Sequence, residues 1–254
     1  GPFILRRMKS EVLRELPPKT ENVRRVELET EQRKLYLAAV VDAREKLRAA
    51  KPEDKMTVFA VLMRLREICC DPRLVADNWT GSSAKLDACL ELVTEAVAGG
   101  HRILLFSQFT SMLELLAKRL DEAGVSHFTL QGSTPKPVRA EQVRRFNQGE
   151  ADVFLISLRA GGTGLNLTAA DIVIHYDPWW NLAAQNQATD RAYRIGQRNP
   201  VQVYRLIAQD TIEEKIVELQ QAKQSLADTV TGGADGAILS MNPEQLLQLL
   251  GEEA

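Results

Sequence analysis

The period of the apolar positions changes along the chain, and the change divides it. From Thr30 to Cys70 apolar residues recur at mostly helical spacing, beginning with Leu35, Leu37, Ala38, Val41, Ala43 and Leu47. This predicts a helix capped by Thr30, an interruption at Lys51-Pro52-Glu53-Asp54, and a second helix over Met56–Cys70 that stops at Asp71-Pro72. The pair reads as a helical hairpin. Asp77–Ser83 is a polar loop. From Ala84 onward, helical stretches alternate with short apolar runs. Helices are predicted over Lys85–Ala98, Ser111–Ala123, Pro137–Asn147 and Leu182–Tyr193. Strands are predicted over Arg102–Ser107, Ser126–Leu130, Asp152–Ser157, Asp171–Tyr176 and Val201–Ile207.

Runs such as RILLFS and DVFLIS are apolar almost throughout. A strand with one wet face alternates; a strand covered on both faces does not. Residues 84–207 are therefore expected to form an α/β domain, a doubly wound, mostly parallel sheet with helices on both faces. Ligands of such sheets sit at the carboxyl ends of the strands. The loops Ser107–Thr110, Gln131–Pro135 and Ser157–Thr168 all follow strands and are expected to share that edge. Before this domain, FILRRMKSEVLRELPPKTENVRRVEL is basic and broken by Pro17-Pro18, so residues 1–28 read as a linker or arm ending in a short strand at Asn22–Leu28. Beyond it, a helix is predicted from Thr211 to Val230 with Ile212, Ile216, Leu219 and Leu226 on one stripe. Gly232–Gly236 breaks the chain, and a short helix over Asn242–Leu250 is expected to pack back on the core.

Composition narrows the classes. The chain has 254 residues, enough for one large or two small domains. A net charge of −2 does not mark an overall basic nucleic-acid binder, so any such surface must be a local patch. Cys69, Cys70 and Cys89 are odd in number and contain no CxxC, which argues against a disulfide framework or a zinc site and fits a reducing compartment. His101, His127 and His175 are scattered, so no metal site is expected. No apolar run approaches membrane-spanning length and no signal peptide is visible. Gly1-Pro2 has the form of a protease-cleavage remnant, which puts the natural segment's start near Phe3 of a longer protein.

The candidate chemistry is concentrated between Val153 and Gln197. Gly161-Gly162-Thr163-Gly164 follows a strand directly, where small residues let backbone N–H groups approach a phosphate; a tight turn without ligand is the alternative. Gln187, Arg191 and Arg194 are spaced four and three apart, which in a helix places them on one face. Two guanidinium groups beside a glycine loop suit phosphoryl chemistry; the alternative is a solvated face with Asp190 pairing to Arg194. Trp179-Trp180 are core aromatics, or one ring is offered to nucleic acid at the strand edge. Ser107, Gln108, Ser133, Thr134 and Ser157 lie at strand ends, as helix caps or as donors to phosphates of a tracked strand. Arg139, Arg144 and Arg145 read first as a solvated face. Arg6, Arg7, Lys9 and Arg14 form a basic run, either linker, DNA-touching arm or solvated segment. The chain has no GxxxxGK[ST] loop and no DExH-like box, so the other half of a nucleotide site is missing.

FILRRMKSEVLRELPPKTE, RLREICCDPRL, SAKLDACLELV, RILLFSQFTSML, AGGTGLNL and QATDRAYRIGQ occur in that order. The ordered set, which covers nearly the whole chain, resembles the second RecA-like lobe of the SWI/SNF-type DNA-dependent ATPases of helicase superfamily 2. The resemblance implies a motor of two lobes that binds ATP between them and tracks along duplex DNA. The first lobe, on the same polypeptide, supplies the P-loop and the acidic Mg²⁺-binding box. Matched by motif, Arg194 is the expected arginine finger with Arg191 beside it, both catalytic. Gly162, Gly164 and Gln187 are expected at the nucleotide, and Ser107, Gln108, Thr134, Ser157 and Trp179 near DNA. The hairpin (29–76) resembles the family's protrusion and 208–254 its C-terminal brace and tail. Asn181-Leu182-Ala183-Ala184-Gln185 departs from a family pattern of a proline and an acidic residue. The lack of a large insertion between Tyr176 and Asn186 suits a compact prokaryotic member.

The expected function is thus one lobe of an ATP-driven double-stranded DNA translocase, with ATP and Mg²⁺ bound mainly by the first lobe. Expected partners are duplex DNA, that first lobe and DNA-bound proteins, with no membrane. The expected location is nucleoid-associated cytoplasm in a prokaryote or the nucleus in a eukaryote. The competing reading is a non-catalytic DNA-binding or protein-interaction module. A third, an unrelated phosphate-binding α/β enzyme, would need catalytic residues that the chain does not show.

Overall fold

A computed structural model describes residues 16–158, 160, 164–227 and 241–251. In chain order it contains strand β1 (Lys19–Val26), helices α1 (Thr30–Ala49) and α2 (Lys55–Cys70), and a short 3₁₀ turn at Pro72–Leu74. Then follow α3 (Ala84–Ala98), β2 (Ile103–Ser107), α4 (Thr110–Glu122), β3 (His127–Leu130), α5 (Lys136–Asn147), β4 (Val153–Ser157) and β5 (Ile172–His175). The chain closes with α6 (Leu182–Thr189), β6 (Val201–Ala208), α7 (Ile212–Ala227) and α8 (Pro243–Leu249).

The strands form one sheet in the order β1-β6-β5-β2-β4-β3, and every pairing is parallel. The fully apolar runs are fully buried, as two-faced burial requires. Successive residues point to opposite faces. Ile103 and Leu105 join a cluster with α3 and α4 through Cys89, Val93, Leu113 and Leu116. Leu104 and Phe106 join the opposite cluster with Phe146 of α5 and with Leu165 and Leu167. This is the RecA-like arrangement, a parallel sheet between two helix layers. The edge strand β1 comes from the segment that the sequence assigns to a linker or arm. It pairs with β6 from Lys19↔Val201 to Val26↔Ala208.

A third cluster joins the hairpin to the C-terminal helices. Leu62, Leu65 and Ile68 of α2 meet Tyr36 and Leu47 of α1, Ile212 and Ile216 of α7, and Leu246 of α8. The α1 stripe matches the expected one at Ala43 and Leu47 and departs from it before them. Gln32, Tyr36, Val40, Ala43 and Leu47 are buried, while Leu37 and Val41 are each 55% exposed. Polar anchors fix that phase. Gln32 Nε2 donates to Ile68 O at 2.9 Å, and the Tyr36 hydroxyl accepts from Ile212 N–H at 2.7 Å. Glu29, not Thr30, stands at the N-cap of α1. The short helix α8 does pack back: Leu246 is fully buried, and Arg44 donates to Leu250 O at 2.6 Å. Gly162, Gly232–Gly236 and the basic run Arg6–Arg14 lie outside the described residues.

Candidate nucleotide and nucleic-acid interface

Because the sheet is parallel, the turns after β2, β3, β4 and β5 emerge on one edge. Ser107 and Ser157 end adjacent strands in direct register. Both are buried and turned to internal work. Ser107 Oγ donates to Asp177 Oδ1 at 2.6 Å and accepts from Phe109 N–H at 3.1 Å, and Ser157 Oγ accepts from Ala160 N–H at 3.3 Å. Thr134, partly exposed, closes its turn by accepting from Gln131 N–H at 3.0 Å. Gln108 N–H donates to Asp177 at 3.3 Å, and the Gln108 side-chain Nε2 is buried without a partner. Trp179 is partly exposed. Its N–H donates to Gln185 Oε1 at 3.3 Å, and its carbonyl accepts from Gln220 Nε2 of α7.

The arginine segment is not the single helix face that its spacing suggests. Helix α6 ends at Thr189, and residues 190–195 form tight turns with Arg191 N–H on Ala188 O and Arg194 N–H on Ala192 O. At the last residue of the helix, the Thr189 hydroxyl reaches back to Gln185 O and hydrogen-bonds to His175 Nε2 at 2.9 Å. Gln187, on the helix, is exposed, whereas Arg191 is only 7% exposed. The turns are stitched to the segment after the glycine loop. Leu167 N–H donates to Arg191 O at 3.1 Å, and Arg194 Nη1 donates to Leu165 O at 3.3 Å. Gly164, at φ +36°, lies in the left-handed region. Arg191 Nε and Nη2 are buried with no hydrogen-bond partner. Burial, and then the like charge of Arg194, lower the Arg191 pKa from its ordinary value.

Two family models divide the chain. Residues 84–196 match the helicase conserved C-terminal domain, and residues 1–74 match the SNF2-related domain. The chain belongs to the SWI/SNF-related helicase family. It is 39% identical over 250 residues to an uncharacterized ATP-dependent helicase of Mycoplasma pneumoniae, covering 98% of this chain and 24% of that protein. It is 38% identical over 242 residues to SWI/SNF-related matrix-associated actin-dependent regulator of chromatin subfamily A member 1 of mouse, covering 90% of this chain and 23% of that one. The SWI2/SNF2 ATPase core of Sulfolobus solfataricus, solved in complex with double-stranded DNA, superposes with a TM-score of 0.78 at 30% identity, over 100% of this chain and 55% of that one. The chain thus spans about a quarter of the curated relatives it matches.

The SWI/SNF-type lobe is held together by buried residues to which the sequence reading assigned no role. Lys85, on the first turn of α3, is fully buried and contacts both Glu213 carboxylate oxygens at 2.6 Å. Glu213 also accepts from Ala208 N–H at 2.9 Å. Burial alone would lower the Lys85 pKa, but Glu213 outweighs it and the net direction is up. Asp177 is equally buried, and desolvation raises its pKa against the pull of Arg66. Gln197 closes the arginine box: its Nε2 donates to Ala170 O and Ala192 O, and its Oε1 accepts from Arg198 N–H and Asn199 N–H. Among the described residues no group of three acidic, cysteine or histidine side chains could hold a metal, and no helix is long and apolar enough to cross a membrane.

Proposed function

We propose that this lobe is one half of an ATP-driven double-stranded DNA translocase. It offers Arg194 as an arginine finger, with Arg191 beside it, to ATP held mainly by a first lobe. The observation that carries this reading is the arginine turn. Arg191 presents buried guanidinium nitrogens without a partner, and the turn is hydrogen-bonded to the segment that follows the glycine loop. An unsatisfied buried cation is costly unless an anion completes it. A transferring phosphoryl group is an anion of the right charge and geometry. Gly164 and Gln187, with Gly162, are assigned to the nucleotide side. Direct DNA contact is assigned to Gln108, Thr134 and Trp179, while Ser107 and Ser157 shape the loops from within. The double-stranded DNA held by the Sulfolobus core supports duplex DNA as the track. The acidic Mg²⁺ site belongs to the first lobe.

Arg194→Ala in the full-length parent is expected to lower DNA-stimulated ATP turnover by roughly a thousandfold or more. Turnover near that of the wild type would remove Arg194 from the finger role. Binding of the parent to duplex DNA should fall steeply with added salt, as phosphate contacts do. A flat response would favour a protein-interaction module instead.

A further inference from the structure

Arg66 stands on α2 in the helical hairpin, yet its guanidinium is fully buried at the carboxyl edge of the sheet. Nη2 donates to Pro178 O at 2.6 Å and to Asp177 Oδ2 at 3.3 Å. The guanidinium carbon lies 3.9 Å from the Trp180 ring centre and 5.5 Å from that of Phe109. Two loops meet at this point. Ser107–Phe109 follows β2, Asp177–Trp180 follows β5, and those strands are neighbours. Asp177 completes the joint from the second loop by accepting from Ser107 Oγ and Gln108 N–H of the first.

We propose that Arg66 is a positioning residue for duplex DNA, a spacer from the hairpin that sets the separation of the Gln108 loop and the Trp179 loop. The inference rests on the DNA-translocase reading. A filler role does not account for the choice of residue. A buried ion pair adds little net stability over apolar side chains of the same volume. This one also leaves Arg66 Nε and Nη1 buried without partners, a cost that a filler would not carry. What arginine supplies is a flat plate with donors in fixed directions, able to lie over aromatic rings while bonding one loop's carbonyl and carboxylate. Lysine keeps the charge and loses the plate. DNA phosphates recur at a fixed pitch, so two loops that touch one backbone must keep a fixed separation.

The test uses the full-length parent. ATP turnover is followed against duplex DNA concentration for the wild type, Arg66→Lys and Phe109→Leu, with the KM for ATP and the thermal midpoint of each. For both variants the DNA concentration giving half-maximal stimulation is expected to rise at least about tenfold, while the KM for ATP stays put, since a site loosened by about an ångström loses contacts in that range. A merely structural role would lower the thermal midpoint and the amplitude without moving the half-maximal DNA concentration, and that result overturns the proposal. Phe109→Leu removes one of the two rings beside Arg66 with no change of charge, and decides the matter alone if Arg66→Lys does not fold. A wild-type parent whose turnover ignores DNA would sink the translocase reading itself, and the Arg66 assignment with it.

Discussion

Lys85 and Glu213 show what a single buried charge does in this lobe. Both side chains are fully buried, so each needs the other, and their contacts at 2.6 Å pair them. Lys85→Met is expected to cost about 3–5 kcal/mol in urea unfolding, because it leaves Glu213 buried and uncompensated. The double variant Lys85→Met/Glu213→Gln should lose less, since the remaining amide still accepts from Ala208 N–H. Equal losses would show that the pair is not coupled. His175 acts in the opposite sense. Burial first, then the positive charges of Arg205 and Lys19, bring its pKa down from 6.5 to about 3, so the folded lobe keeps it neutral. The unfolded chain takes up a proton near its ordinary value, so this contribution is complete above about pH 6.5 and fades as the pH falls toward 3. Between pH 6.5 and 5 the loss is about 2 kcal/mol. The unfolding free energy of His175→Gln should fall less over that interval than that of the wild type. Parallel decline in both would mean that His175 titrates as it does in water.

At the scale of elements, the sheet and its layers were legible in the sequence, and the arginine turn was not. Strand runs apolar on both faces have one natural home, and RILLFS and DVFLIS found it as β2 and β4. Helix periodicity gave the existence of α1 and its phase at Ala43 and Leu47, but not at its start, where Gln32 and Tyr36, polar residues with distant partners, are the ones buried. The spacing of Gln187, Arg191 and Arg194 suggested a continuous helix, but spacing says nothing of where a helix stops. It ends at Thr189, whose hydroxyl meets His175, a partner that only the fold brings near. Turns bring the arginines to Leu165–Leu167, and Gln197 pins those turns with its four hydrogen bonds. Gln197→Leu strands two carbonyls and two N–H groups, and is expected to lower stability by at least about 2 kcal/mol in denaturant titration. An unchanged midpoint would show that the turns are held by the Leu165 and Leu167 contacts alone.

At the scale of the whole molecule, what matters is which motifs the sequence holds. It carries the family's arginine box and glycine loop but no P-loop and no acidic box. The isolated lobe is therefore expected to hydrolyse no ATP above background, with or without DNA, in a coupled phosphate-release assay. Turnover that follows the protein through purification and is lost in Arg194→Ala would overturn the half-site reading.

The order of the sheet also sets a timetable. Strand β1 has one neighbour, β6, and the register Lys19↔Val201 separates them by 201 − 19 = 182 residues. At about 5–20 residues per second of synthesis, β1 leaves the ribosome roughly 10–40 seconds before anything can pair with it. A naked apolar strand waiting that long invites aggregation. The strand is instead written KTENVRRV, and even after pairing most of it stays at the surface. Its charges keep it harmless as a nascent segment until β6 emerges, and a Val or Ile run at the same place would put the newborn chain at risk before the lobe could close.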